Sequence, residues 1–249
     1  MKVKTLACLC ALAAVPAFGT VAVTSTNTFG VLKVTCSAQK VIIATPWVEC
    51  LTADNVKVTD LVMTSGLATG DAILVHQGGN NFRCWAISGG EWVATTVVLT
   101  NAVVDSGNPA SAAIARGKAF WFVKANYSEP YDLYLYGQDT TAGATSTIAP
   151  GSSGTPAYSL LASPNTVAAD LNAKNFSGTR NAADEIRVPR HNLPDLIYTF
   201  KDGQGWGTLT STQIGTTGRY KKVWTAGCTI PAGTGFWYVS KGGTGTITW

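Results

Sequence analysis

Apolar and polar residues alternate along most of this chain in short runs that end at glycine, the pattern of strands rather than helices. Val31–Cys36 and Val41–Thr45 flank Ser37–Lys40, which reads as a hairpin turn. Asp71–His76 is an apolar run that stops at Gly78-Gly79-Asn80-Asn81, and Phe82–Ile87 answers it across that turn. Ser88-Gly89-Gly90 then leads into Trp92–Leu99, dense in β-branched residues. Ala119–Val123 and the alternating Asp132–Tyr136 complete a first series. Helical periodicity is scarce: Asn165–Asn175 has room for two or three turns and Ala110–Arg116 for one.

The series then starts again. "IARGKAFWFVK" (Ile114–Lys124) returns as "IPAGTGFWYVS" (Ile230–Ser240), with Ile, Gly, Phe, Trp and Val at the same offsets. Gly117, Phe120 and Trp121 are matched by Gly233, Phe236 and Trp237, and Asp195, ahead of a strand and the glycine turn Lys201–Gly205, is set against Asp71. Glycine suits a positive φ or a bulge where the chain enters a strand, and adjacent Phe and Trp place one large ring on each face of it. Arg219–Trp224 and Gly245–Trp249 supply the later strands. Between the two series, 138–155 is filled with Gly, Ser, Thr, Ala and Pro and reads as a linker or long loop. The expectation is an all-β fold of two related antiparallel units, sandwich- or barrel-like and arising by internal duplication, at 20–137 and 156–249.

The first nineteen residues fall outside this scheme. A basic start with Lys2 and Lys4, an apolar run from Thr5 to Val15, and small residues before a cut near Gly19/Thr20 form the layout of a secretory signal peptide. The run is too short to span a bilayer, so no transmembrane segment is expected once it is removed. Export changes the reading of the cysteines. Cys8 and Cys10 leave with the leader, and Cys36, Cys50, Cys84 and Cys228 become possible disulfide partners, in any of three pairings. Loss of Lys2 and Lys4 brings the 18 basic residues near the 14 acidic ones, and the charges are scattered, which gives no footprint for nucleic acid.

Chemistry is thin. His76 and His191 sit at turns, and no G-x-S-x-G elbow accompanies them. Asp71 and Asp195 read as turn-building carboxylates. No calcium loop, zinc spacing, phosphate loop or dinucleotide fingerprint appears, so neither metal nor cofactor is expected. The 8 Trp, 8 Tyr and 8 Phe are the remaining lead. Tyr134 and Tyr136 share one face of a strand, and with Trp92, Trp206 and Trp224 they are the candidate exposed rings for stacking on sugars or on another protein. The terminal Trp249 is compatible with an outer-membrane barrel, but the strands before it are too short and irregular for a lipid-facing band.

The stretches "NTFGVLKVT", "IIATPWVE", "LATGDAILV", "IARGKAFWFVK" and "YDLYLYGQ" resemble a group of uncharacterised secreted β-rich proteins of Verrucomicrobia- and Lentisphaerae-like bacteria. The resemblance covers most of 27–137, with a shorter echo in 156–249. It implies export and a β-rich fold, and carries no catalytic or binding residues across. The function expected is non-enzymatic: a secreted or cell-surface structural or adhesive protein, whose partner is a further copy of itself or a surface polysaccharide. The alternatives are a carbohydrate-binding module, which needs several coplanar exposed rings, and a hydrolase, which needs a histidine beside a carboxylate in a pocket.

Overall fold

Phe120 and Phe236 are fully buried, while Trp121 and Trp237, one residue on in each strand, face the opposite side of their sheets. That alternation organises the molecule. The computed structural model describes residues 28–45, 55–57, 67–79, 81–95, 103–104, 113–139, 143–190, 193–214 and 219–249. The leader, Cys50, His191 and the Tyr136 side chain lie outside the described residues. Among the described residues every regular element is a strand except one 3-10 turn at Leu171–Ala173, so the protein is all-β.

Strands are numbered along the chain. In the first unit β2 (Lys40–Ala44), β9 (Ala119–Val123), β4 (Ala72–Gly78), β5 (Asn81–Ser88) and β6 (Glu91–Ala94) form an antiparallel sheet in that order, with the short β7 (Val103–Val104) parallel to β5. A ribbon of β1 (Thr28–Cys36) and β10 (Tyr131–Asp139) pairs from Thr28–Asp139 to Cys36–Tyr131. Leu133 and Leu135 from the ribbon, with Ile43, Ile73, Trp85, Phe120 and Phe122 from the sheet, build the first core. β3 (Asn55–Lys57) and β8 (Ala113–Ala115) make a small extra pair.

The second unit has a sheet and a facing layer of its own. β12 (Ala157–Ala162), β20 (Gly235–Ser240), β15 (Glu185–Arg190), β16 (Leu193–Lys201), β17 (Gly205–Ile214) and β18 (Arg219–Ala226) form its sheet. β11 (Thr145–Ile148), β21 (Thr244–Thr248) and β14 (Asn175–Thr179) form the facing layer, and β13 (Ala169–Asp170) pairs with β19 (Thr229–Ile230). Its core gathers Leu161, Ile186, Tyr198, Phe200, Trp206, Phe236, Tyr238 and Ile247. The registers coincide: Ile42–Trp121–Leu74–Cys84 across the first sheet corresponds to Leu160–Trp237–Arg187–Ile197 across the second.

The units meet on the tryptophan side. Ile42, Ala44, Ala119, Leu160 and Ala162 form a third apolar cluster with Trp121 and Trp237. The backbone bonds across this seam are reciprocal: Ala44 N donates to Gly233 O and Ala162 N to Gly117 O, both at 3.0 Å. Bridges pair Ile43 with Thr234 and Leu161 with Lys118. Gly117 and Gly233 carry φ of +81° and +72°, and the facing layer of the other unit fills the space above each. A Cβ on Gly117 would stand 2.9 Å from Ser146 Oγ, and one on Gly233 would stand 2.9 Å from Val34 Cγ2. Residues of each unit therefore close part of the other across this seam.

Several expectations are corrected. Ser37–Lys40 is not a hairpin: β1 pairs with β10 and β2 with β9, so this turn carries the chain between layers. The stretch 138–155 is not a linker throughout, since β10 runs to Asp139 and β11 buries Ser146 and Ile148 in the second unit. Its alternation is hidden because polar Ser146 takes an inward position, bonded to Gly117 O. Asn165–Asn175 makes β13 and the 3-10 turn instead of a helix, and Ala113–Ala115 is a strand. Asp195 does not match Asp71. It is exposed within β16, and Asp184, immediately before β15, occupies the corresponding place.

Candidate functional site

Asp71 and Asp184 show how the strand hairpins are anchored and why neither is free for chemistry. Both are fully buried. Asp71 accepts from Ala68 N at 2.8 Å, Ala125 N at 2.9 Å and Lys124 Nζ at 2.6 Å. Asp184 accepts from Asn181 N at 3.0 Å, Lys241 N at 2.7 Å, Gly243 N at 3.3 Å and the Tyr238 hydroxyl at 2.9 Å. A carboxylate bound by backbone donors on two adjoining turns is a structural clamp.

The candidate rings are dispersed. Trp206 is wholly enclosed in the second core, edge-on to Tyr238 at 5.6 Å, so it cannot present a face to a ligand. Its backbone is held by Asn172, whose amide donates to Trp206 O at 3.0 Å and whose carbonyl accepts from Trp206 N at 2.7 Å. Trp92 is half-buried and packs on the first core. Tyr134 is half-buried on β10 opposite Lys33. Trp224 is half-buried, its ring 2.6 Å from where a Gly207 Cβ would be, with the Lys201 ammonium 5.4 Å from the ring centroid. No ring contact joins any two of these four among the described residues, so they form no common platform.

A different aromatic group lies at the edge of the seam. His76 contacts Trp237 at 5.0 Å and 83°, and Phe82 at 5.2 Å, while Tyr158 meets Trp237 at 6.1 Å and 85°. His76 and Tyr158 both stand edge to face against Trp237, His76 and Phe82 are tilted at 56°, and of the tyrosine and tryptophan only Tyr158 is strongly exposed, at 42%. His76 Nε2 is within hydrogen-bond distance of Gly79 O, at 2.9 Å. Burial pushes the imidazole below its ordinary range. The Gly79 bond opposes that shift, and the charge of Lys118 adds to it.

Beside this group the two units diverge. Where the first sheet has buried Ala72 and Leu74, the second has Glu185 and Arg187. Arg187 grips Glu185 through two nitrogens, at 2.8 and 2.6 Å, and Lys241 closes on the other carboxylate oxygen. Burial would raise the Glu185 carboxyl, but the bonds from Lys241 and Arg187 outweigh it and hold the group below the usual glutamate range. Ile197, on the same row as Arg187, is 42% exposed. The outer face of the second sheet is thus partly polar and open, where its counterpart is apolar and closed.

The other distinctive feature is the β17–β18 ribbon. β17 pairs with β16 only from Gly205 to Gly207. From Thr208 to Ile214 it pairs with β18 alone among the described residues, in continuous register to Arg219. Leu209, Tyr220 and Val223 are 49%, 65% and 37% exposed. Sequence reasoning found β18 but missed β17, because "TLTSTQI" alternates among β-branched and polar residues without an apolar face.

The described cysteines are free thiols. Cys36, Cys84 and Cys228 are buried in three different apolar clusters, so no disulfide joins them. Among the described residues no group of three His, Cys, Asp or Glu side chains is placed to hold a metal ion, and no helix is long and apolar enough to cross a membrane. No family model, curated protein or solved structure matches the chain.

Proposed function

We propose that the chain is an exported, non-enzymatic structural or adhesive protein of the bacterial cell surface, made by duplication of one β unit and assembling with further copies of itself. The observation that carries the reading is the β17–β18 ribbon, which leaves the sheet at Gly207 with large apolar residues exposed on strands that have no further partner among the described residues. A two-stranded ribbon is marginal in water by itself, and open strand edges are templates for pairing. Natural folds shorten or cover such edges unless they serve a contact. The corresponding registers of the two sheets and the reciprocal seam support duplication.

Light scattering behind size exclusion, followed by negative-stain microscopy of the same sample, tests this. A discrete oligomer or filament supports it; a monomer at every concentration removes self-assembly. Amino-terminal sequencing of the exported chain checks processing near Gly19/Thr20.

A second reading, carbohydrate binding, is favoured by one observation: the open face of the second sheet puts exposed Tyr158 near the Arg187–Glu185 pair, with Trp237 between β12 and β15. Aromatic and charged hydrogen-bonding groups together suit a sugar's apolar face and hydroxyls. The perpendicular rings make it the weaker reading. Polysaccharide affinity electrophoresis of the protein and its Tyr158→Ala variant decides it: unchanged mobility for both would discard the sugar site.

A further inference from the structure

The two edges of the β17–β18 ribbon are chemically unlike, and that difference identifies the contact. β18 is the last strand of its sheet and carries Arg219, Lys221 and Lys222, the two lysines exposed on opposite faces of the strand. Lysine on an edge strand is a common guard against pairing, because a second strand laid along it must bury or confront the charge. Two copies of β18 meeting antiparallel about the Lys221–Lys222 step would bring lysine against lysine. β17 has no such guard. From Thr208 to Ile214 it reads Thr-Leu-Thr-Ser-Thr-Gln-Ile, without a charge, a proline or a glycine. Four of these seven residues are β-branched and suited to a strand. Beyond Gly207 its outer backbone groups pair with no described strand, and its side chains from Leu209 to Gln213 are exposed.

We propose that β17 is the docking edge, and that its occupant is β17 of a second copy, laid antiparallel about a two-fold axis at Ser211. This rests on the self-assembly reading above and specifies its geometry. The product is a continuous four-stranded sheet in the order β18–β17–β17–β18, with the lysine-bearing strands outermost. Centred on Ser211, Thr208 meets Ile214, Leu209 meets Gln213 and Thr210 meets Thr212 of the other copy. Every pair is uncharged, and the threonine pairs are favourable cross-strand neighbours. The contact is isologous, so it closes at a dimer, and any longer assembly must use another surface. Pairing of the outer backbone groups and partial cover of Leu209 are what stabilise it.

The position of Ser211 on the axis allows a direct test. Ser211→Glu places a carboxylate opposite Lys222 within its own ribbon, which supports the hairpin, and directly against the same carboxylate of the second copy, which opposes pairing. Thr225→Glu adds the same charge to β18 as a control. Ser211→Cys brings two thiols to a directly opposed antiparallel position, within reach of a disulfide. Sedimentation equilibrium on the full chain should give twice the monomer mass for the unaltered protein and Thr225→Glu, and the monomer mass for Ser211→Glu with an unchanged melting temperature. Mild oxidation of Ser211→Cys should give a covalent dimer on a non-reducing gel, and Thr225→Cys none. If Ser211→Glu associates as before and Ser211→Cys does not cross-link, the β17 edge is overturned while self-assembly stands on another surface. If the unaltered chain is monomeric at all soluble concentrations, both readings fall.

Discussion

The Tyr238 hydroxyl donates to Asp184 at 2.9 Å in a site closed to solvent, and the corresponding carboxylate of the first unit, Asp71, takes the Lys124 ammonium at 2.6 Å instead. The same clamp is completed by a neutral donor in one unit and by a cation in the other. Tyr238 is the register equivalent of Phe122, which has no hydroxyl to offer. Burial, followed by the charge and bond of Asp184, pushes the Tyr238 phenol well above its ordinary range, so it stays a donor at any physiological pH.

Tyr238→Phe should destabilise the protein by about 1.5–3 kcal/mol, the usual value of a hydrogen bond to a charged group. Asp184→Ala should lose more than about 3 kcal/mol, because it leaves the backbone N–H groups of Asn181 and Lys241 and the Tyr238 hydroxyl without their acceptor. Urea denaturation measures both. Equal losses in the two variants would mean that the backbone bonds contribute nothing and that the clamp description is wrong.

How much of this was legible in the sequence depends on which residues carry the pattern. The Phe-Trp strands declared themselves, because paired rings at fixed distance from a glycine have few other uses. Leu133 and Leu135 alternate with Tyr134 and Tyr136 along β10, and both leucines are buried. The match of Asp195 to Asp71 failed for a physical reason. It relied on the next carboxylate ahead of an apolar run, whereas Asp184 sits in "NAADEIRV", where Glu185 and Arg187 replace the apolar residues found after Asp71. The ribbon was half-missed because β17 buries no face beyond Gly207, so no hydrophobic period marks that stretch. The seam was illegible because its close approach depends on Ala44, Ala119, Ala162, Gly235 and reciprocal backbone bonds, which signal nothing locally, while the Ile42, Leu160, Trp121 and Trp237 packed with them read as ordinary strand residues.

His76 gives a pH dependence with a definite sign. Its folded-state affinity for a proton lies below the ordinary histidine value of 6.5, chiefly through burial. Between that value and the lower folded one the unfolded chain binds the proton more readily, so stability is fully present above about pH 6.5 and is lost as the pH falls through the folded value. His76→Phe keeps a ring against Trp237 and Phe82 and removes the titration. The gap in urea midpoint between the variant and the unaltered protein should shift in the variant's favour from about pH 7.5 to about pH 5.5. A gap independent of pH would show that His76 is not enclosed as described.

The three described thiols should be inert in the native protein. Burial pushes Cys36 and Cys84 up to about 11 and Cys228 higher still, so almost no thiolate is present at neutral pH. Iodoacetamide followed by peptide mass spectrometry should find none of the three alkylated before denaturation and all three afterwards. Alkylation of any of them in the native state, or failure to alkylate one after denaturation without reductant, would contradict buried free thiols.

The seam between the units makes the most specific demand on side-chain size. Gly235 and Ala119 occupy matching positions, one residue before the Phe-Trp pair, and face each other across it. A Cβ on Gly235 would collide with the Ala119 methyl and with Ile42 Cγ2. Cores resist such insertion, at about 1–3 kcal/mol, because neighbours must leave their rotamers or the backbone must shift. Here the neighbours are strands in ladders, and Ala44 N and Ala162 N hold those ladders to the opposite unit. Gly235→Ala should therefore lose stability by about that amount, and Ala119→Gly in the same chain should return part of it by removing the facing Ala119 methyl, while the Ile42 contact remains. A double-mutant cycle in urea measures the coupling, with about 0.5 kcal/mol or more expected between residues in contact. Strict additivity would mean that the two positions do not touch and that the units meet elsewhere.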